Sequence, residues 1–338
     1  MKQNWQWTVV FITGFRMFLQ TILLERHAYS ACWMAPLIGM AFAYPFIILL
    51  SRHWQRKENA SLRNWVRLAA AAYLLNDTAQ IVLLYQEGTK FASLSSYPTA
   101  VLYLILLVFS LFVVRQGRNG VFSLGGALKF PLLVCLSLLI VFRLPDVSLI
   151  RFAPWFGGGA AELTRSGLSL AGYGFSLMVF LSAAPDYEPK TASILGMWIT
   201  ACAGAALFSA AEVMISPVAP GEPTGMYLAI SRLLTSGRSQ TSLQLVLYMV
   251  WFSLMFMSVC LNIKCIIVLL ADVLRRGEGW LIQCGVLSAA MLLAILCEHM
   301  LGENLRAYLA IPGAFRGLLL PVMCLPLLKG QHRKAVAA

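Results

Sequence analysis

Two opposite charges, Arg16 and Asp77, each fall near the middle of a membrane-length apolar run, at similar depth. A lone charge there costs about 2.5–3.5 kcal/mol on insertion scales, so each needs an opposite charge or a water-filled cavity. An amino acid carries an ammonium and a carboxylate, which Asp77 and Arg16 match one for one. The pair equally fits a structural role, as an ion pair that locks the first apolar segment to the third. Asn76 and Gln80 widen the polar surface around Asp77, and Thr13 and Ser176 add hydroxyls. Such groups hydrogen-bond a small zwitterion, and they also hold helices together. Gly14 precedes Arg16 by two residues, and Gly172-Tyr173-Gly174 interrupts the sixth apolar segment.

Positioning these groups takes a bundle of helices. Of the 338 residues, 59% are hydrophobic and only 12% charged, more apolar side chain than a soluble core of this length needs. A helix of about 20 apolar residues crosses the hydrocarbon core. Stretches of that kind lie near 6–24, 31–51, 66–86, 97–114, 127–145, 166–184, 192–215, 243–270, 280–297 and 309–328. Lipid satisfies no backbone polar group, so these spans are helices, and the short alternating strands of an outer-membrane barrel are missing. The expectation is an all-α integral membrane fold of about ten transmembrane helices, forming one polytopic domain over 1–338.

Charge placement orients the bundle. With the N-terminus in the cytoplasm, 15 of the 26 basic residues fall in inside loops or tails and 8 in outside loops. That bias predicts cytoplasmic N- and C-termini. The net charge of +12 then reflects topology and attraction to anionic membrane lipid, not nucleic-acid binding. The three remaining basic residues are Arg16, Lys264 and Arg316. Lys264 is expected to snorkel toward the cytoplasmic surface, and Glu212 and Arg316 to reach water near segment ends. Glu298, His299 and Glu303 read as an outer turn. The eight cysteines mostly sit in apolar runs with no CxxC pair, as small packing residues. Arg16 and Gln20 interrupt the first segment too early for a signal peptide, so it is expected to remain as the first helix.

The longest polar stretches, about 146–165 and 216–242, leave five apolar segments on either side of the first. The second stretch runs from a Pro-rich turn at Pro217 into a short amphipathic helix beginning at Met226. Five is odd, so the second half enters the membrane inverted, as in inverted-repeat transporters. The repeats are placed at about 6–145 and 166–328. In such folds the first helix of each repeat is broken, and its free backbone groups bind substrate near the bilayer midplane. Gly14 and Gly172-Tyr173-Gly174 mark the corresponding places, with helix packing as the other use of Gly14.

Several stretches occur in the order seen in one family. They are Ala28-Tyr-Ser-Ala-Cys-Trp33, Tyr97-Pro-Thr-Ala100, Val113-Val-Arg-Gln-Gly-Arg118, Leu149-Ile-Arg-Phe-Ala-Pro-Trp-Phe-Gly-Gly-Gly159, the run Gly172 to Pro185, Leu228-Ala-Ile-Ser-Arg232 and Gly237-Arg-Ser-Gln-Thr-Ser-Leu-Gln244. In layout the chain resembles the B subunit of spore germinant receptors (the GerAB type), within the amino acid/polyamine/organocation permease superfamily. The chain departs from that family's pattern at Gln20, Cys32 and Ser176. The resemblance implies a leucine-transporter-like fold in the spore inner membrane and partner subunits of A and C type. It also implies a small nutrient ligand, an amino acid first, bound between helices 1 and 6 by Thr13, Gly14, Arg16, Asn76, Asp77, Gln80, Gly172, Tyr173, Gly174 and Ser176.

Enzymatic chemistry finds no foothold. HExxH, GxSxG and phosphate-loop motifs are missing, Gly157-Gly-Gly159 has no following lysine, and His27, His53, His299 and His332 form no cluster. No cofactor or metal is expected. Three readings stand: a ligand-binding germinant receptor subunit, a secondary amino-acid transporter driven by an ion gradient, and a ligand-less scaffold of a receptor complex.

Overall fold

The computed structural model describes residues 2–54, 60–91, 99–116, 118–143, 147–152, 159–182, 190–215, 240–275, 277 and 279–301. Among these residues the chain is helical and has no strand. Helix α1 spans Lys2–Ala28 and passes through a 3-10 turn, Tyr29–Met34, into α2, Ala35–Trp54. Then follow α3 (Ala60–Phe91), α4 (Thr99–Arg115) and α5 (Arg118–Arg143). The sixth expected segment is two helices, α6 (Gly159–Ala171) and α7 (Tyr173–Ser182). The chain continues with α8 (Thr191–Ile215), α9 (Gln240–Leu274) and α10 (Trp280–Leu301).

Nine of the ten expected segments are therefore helical, and the tenth, 309–328, lies outside the described residues, as do the stretch from Met226 and Arg316. Five of the described helices are long and apolar enough to cross a membrane by themselves. The protein is an all-α, multi-pass membrane protein. Its cysteines behave as expected: the described ones are free, and Cys32, Cys202, Cys260 and Cys265 are buried among helices.

The helix pairings obey an exchange. The first segment packs on the seventh (α1 on α8) as the second packs on the sixth (α2 on α6). The third packs on the ninth (α3 on α10) as the fourth packs on the eighth (α4 on α9). Swapping each segment for the one five later turns each pair into its counterpart and maps α3 on α9, the most extensive pairing, onto itself. That is the packing a five-plus-five repeat demands.

Three expectations are corrected. The first helix is not broken: α1 runs without interruption through Gly14. Gly14 serves instead for close approach, since a Cβ there would stand 3.0 Å from the Ala201 carbonyl oxygen of α8. A backbone pressed that near its neighbour is best kept as a smooth helix. The sixth segment starts earlier than 166, at Gly159, whose φ of 80° lies in the left-handed region that glycine adopts without strain. Lys264 does not snorkel but is buried, because the stretch of α9 around it is enclosed by α3, α4 and α5.

Candidate functional site

Helix α1 carries Thr13, Arg16 and Gln20 at spacings of three and four, which align them on one face. All three are buried, and among the described residues Thr13 Oγ1 and Gln20 Nε2 have no hydrogen-bond partner. Helix α3 carries Tyr73, Asp77 and Gln80 at the same spacings, with half-buried Asn76 beside them. The two faces meet at an ion pair between Arg16 and Asp77, whose side chains are 4% and 1% exposed.

A third helix completes the pair. Asn262, in the enclosed α9, donates from Nδ2 to Asp77 Oδ2 at 2.8 Å and accepts from Arg16 Nη1 at Oδ1, at 3.5 Å. One carboxamide thus touches both charges, a role suited to a group that is donor at one end and acceptor at the other. The helix break supplies the fourth element. α6 ends at Ala171, and the Phe175 amide bonds the Gly172 carbonyl at 3.0 Å in a tightened turn. α7 then begins at Tyr173, whose ring lies under the Arg16 guanidinium, 5.3 Å from centroid to Cζ. A cation over such a ring gains about 0.5–2 kcal/mol, more as water is excluded. The amino end of α7, with its partial positive charge, therefore opens beside Arg16.

Below this junction, Tyr73 Oη hydrogen-bonds Ser176 Oγ at 2.9 Å, and the Tyr73 ring meets Phe175 edge-on at 5.5 Å. Of the ten residues expected in the site, Arg16 contacts both Asp77 and Tyr173, and Ser176 bonds Tyr73, one turn before Asp77 on α3. Thr13, Asn76 and Gln80 lie within a turn of the pair on α1 and α3, and Gly172 forms the break. Gly14 and Gly174 face elsewhere: Gly14 toward α8, and Gly174 toward Ala43 and Ile47 of α2.

Sequence reasoning passed over Asn262 and Tyr73. The available signal was a carboxamide in the middle of an otherwise apolar run, two residues before Lys264, the residue singled out there. Among the described residues no group of three or more His, Cys, Asp or Glu gathers to hold a metal. The junction is a charge-neutral, buried, polar centre where four helices from both halves of the chain converge.

Among solved structures, the chain is similar to the nucleobase-cation-symport-1 family transporter Mhp1 in a closed conformation with bromovinylhydantoin bound. The TM-score is 0.66 at 13% identity, over 94% of this chain and 77% of Mhp1. The fold is that of a membrane transporter. A variant of the Eremococcus coleocola manganese transporter also matches, with a TM-score of 0.46 and 13% identity over 95% of this chain and 72% of that one. No protein-family model matches the sequence, and no curated protein does.

Proposed function

We propose that this protein is a secondary transporter that binds a small zwitterion, an amino acid first, at the Arg16–Asp77–Asn262 junction. The observation that carries the proposal is the buried ion pair spanned by Asn262 beside the break at Gly172. Because the centre is neutral, a ligand with net charge would leave an unbalanced charge in a low-dielectric site, whereas a zwitterion exchanges one ion pair for two. Its carboxylate would take Arg16 and the amino end of α7, and its ammonium would take Asp77. Thr13 and Gln20, buried on the same face of α1 as Arg16, hold polar atoms in reserve for such a ligand. Opening the Arg16–Asp77 pair is then the step that distinguishes the ligand-bound arrangement, and a ligand shifts the bundle only by as much as it prefers that arrangement.

The test is uptake into proteoliposomes under an imposed ion gradient, with amino acids beside nucleobases and hydantoins, the latter chosen because Mhp1 holds bromovinylhydantoin. Uptake of one class, lost in Asp77→Asn while the variant still inserts, supports the proposal. Failure across the panel counts against transport.

A second reading, a germinant receptor B-type subunit that senses the same ligand, is favoured by the ordered motifs from Ala28 to Gln244. Co-purification with A- and C-type subunits tests it. Those partners together with no ligand-induced stabilisation would point to the scaffold.

A further inference from the structure

Two buried polar atoms lie one helical turn from the contact between Arg16 and Tyr173, and neither has a hydrogen-bond partner among the described residues. They are Gln20 Nε2 on α1 and Ser169 Oγ on α6. Gln20 stands four residues after Arg16 and is 4% exposed, and Ser169 stands four residues before Tyr173 and is 3% exposed.

The helix directions put both atoms on the same side of the junction. α2 runs alongside α6 and α7 in their direction, since a Cβ on Gly39 would meet Gly167 and Ala171, and one on Gly174 would meet Ala43 and Ile47. α1 turns back into α2 through Tyr29–Met34, so it runs opposite to α6 and α7. Counting forward from Arg16 and backward from Tyr173 therefore moves the same way, by roughly 6 Å for four residues at 1.5 Å each. Thr13 lies on the other side of the junction. α1 and α6 pack on each other, so Gln20 and Ser169 form a second polar level beside the first.

A buried polar group without a partner forfeits its bonds to water and gains none in exchange, so folded proteins rarely keep one. The other hydroxyls of this bundle show how easily the cost is avoided. Thr21, Thr78, Ser110 and Ser258 each donate to the carbonyl four residues back, at 2.7–2.8 Å. Thr164 does the same on α6 itself, at 2.7 Å. Ser169 has the Arg165 carbonyl at that spacing and makes no such bond. Charge is scarce at this level: apart from Arg16, the one charge on α1 or α6 within a turn of either group is Arg165, which is exposed.

We propose that Gln20 and Ser169 form a side-chain subsite beside the junction, which takes an amino acid with a polar, uncharged side chain such as a carboxamide. The subsite rests on the reading of the junction as a zwitterion site. Arg16 and Asp77 hold the ligand's carboxylate and ammonium, and its side chain extends one turn along α6. A carboxamide oxygen accepts from Gln20 Nε2, and its nitrogen donates to Ser169 Oγ. An apolar side chain of the same shape leaves both groups unpartnered, and a carboxylate side chain brings a buried charge with nothing to balance it. Because α6 and α7 are separate helices at Gly172, they can part around a side chain without bending either one.

The test is the affinity of the detergent-purified full chain for asparagine and glutamine beside leucine, norleucine and aspartate, read from ligand-induced thermal stabilisation. Asparagine should bind about tenfold or more tighter than leucine, which matches it in shape but makes neither hydrogen bond. Aspartate, of the same shape with a net charge, should also bind more weakly than asparagine. Ser169→Ala should close much of the gap between asparagine and leucine, and without ligand it should be at least as stable as wild type, since it deletes an unpartnered hydroxyl. Gln20→Leu tests the same gap from the other helix. Leucine binding as tightly as asparagine in wild type, or a gap unchanged in both variants, overturns the subsite and leaves the zwitterion site standing. A loss of unliganded stability in Ser169→Ala also overturns the subsite, because the hydroxyl would then have a partner within the protein. No stabilisation by any amino acid refutes the zwitterion reading and the subsite with it.

Discussion

Removing one charge of the Arg16–Asp77 pair should destabilise the protein far more than removing both. The two side chains are almost fully enclosed, so water does not screen the charge left behind. Breaking a buried pair by losing one partner costs about 3–5 kcal/mol. Arg16→Gln with Asp77→Asn instead leaves three neutral carboxamides, counting Asn262, which can bond one another. The double variant should therefore be more stable than either single one, with a coupling of about 2–3 kcal/mol, the upper part of the range for side chains in contact. The two single variants should also differ. A stranded carboxyl can take up a proton, whereas a stranded guanidinium cannot shed one. Asp77→Asn should be the more damaging, and the deficit of Arg16→Gln should shrink on acidification while that of Asp77→Asn does not. Unfolding free energies from detergent titration of all four proteins, at neutral and mildly acidic pH, give the cycle directly. Single variants within about 1 kcal/mol of wild type, or effects that simply add in the double variant, would show that each charge is satisfied by something other than its partner.

Two further outcomes follow from the packing. Asn262→Leu removes hydrogen bonds to both charges, of which the 2.8 Å bond to Asp77 is the stronger, and should cost about 1.5–3 kcal/mol in the same titration; no loss would detach α9 from the junction. Gly39→Val should destabilise by about 1–3 kcal/mol, because its Cβ would stand 2.8 Å from the Gly167 carbonyl oxygen of α6, whereas Gly196→Ala, with open space around it, should be neutral or stabilising by thermal denaturation. Equal behaviour of these two glycines would remove close helix approach as the reason for Gly39.

The sequence by itself determined the class of the protein and its most costly pair. Lipid penalises every exposed backbone group and every lone charge, so apolar run lengths announce helices, and Arg16 and Asp77 at matching depth announce each other. The break in the sixth segment was also legible, since Gly172-Tyr173-Gly174 offers the backbone little reason to stay helical. Gly14 looked alike in sequence, yet α1 runs through it, because a glycine's use depends on what lies against it, here the backbone of α8. Asn262 escaped notice for a related reason. A neutral amide in a membrane helix costs little enough to need no partner, and only the rotation of α9 against α3 sets it between the two charges. Lys264 departs from expectation because snorkelling presumes an open helix face, and the stretch of α9 around it is packed by α3, α4 and α5. Glu298 had seemed to lie in an outer turn, but α10 extends to Leu301 and carries it onto Gln86 and Tyr103. Depth in the membrane is a one-dimensional property, readable along the chain. Which face of a helix meets which neighbour is settled only when the helices pack.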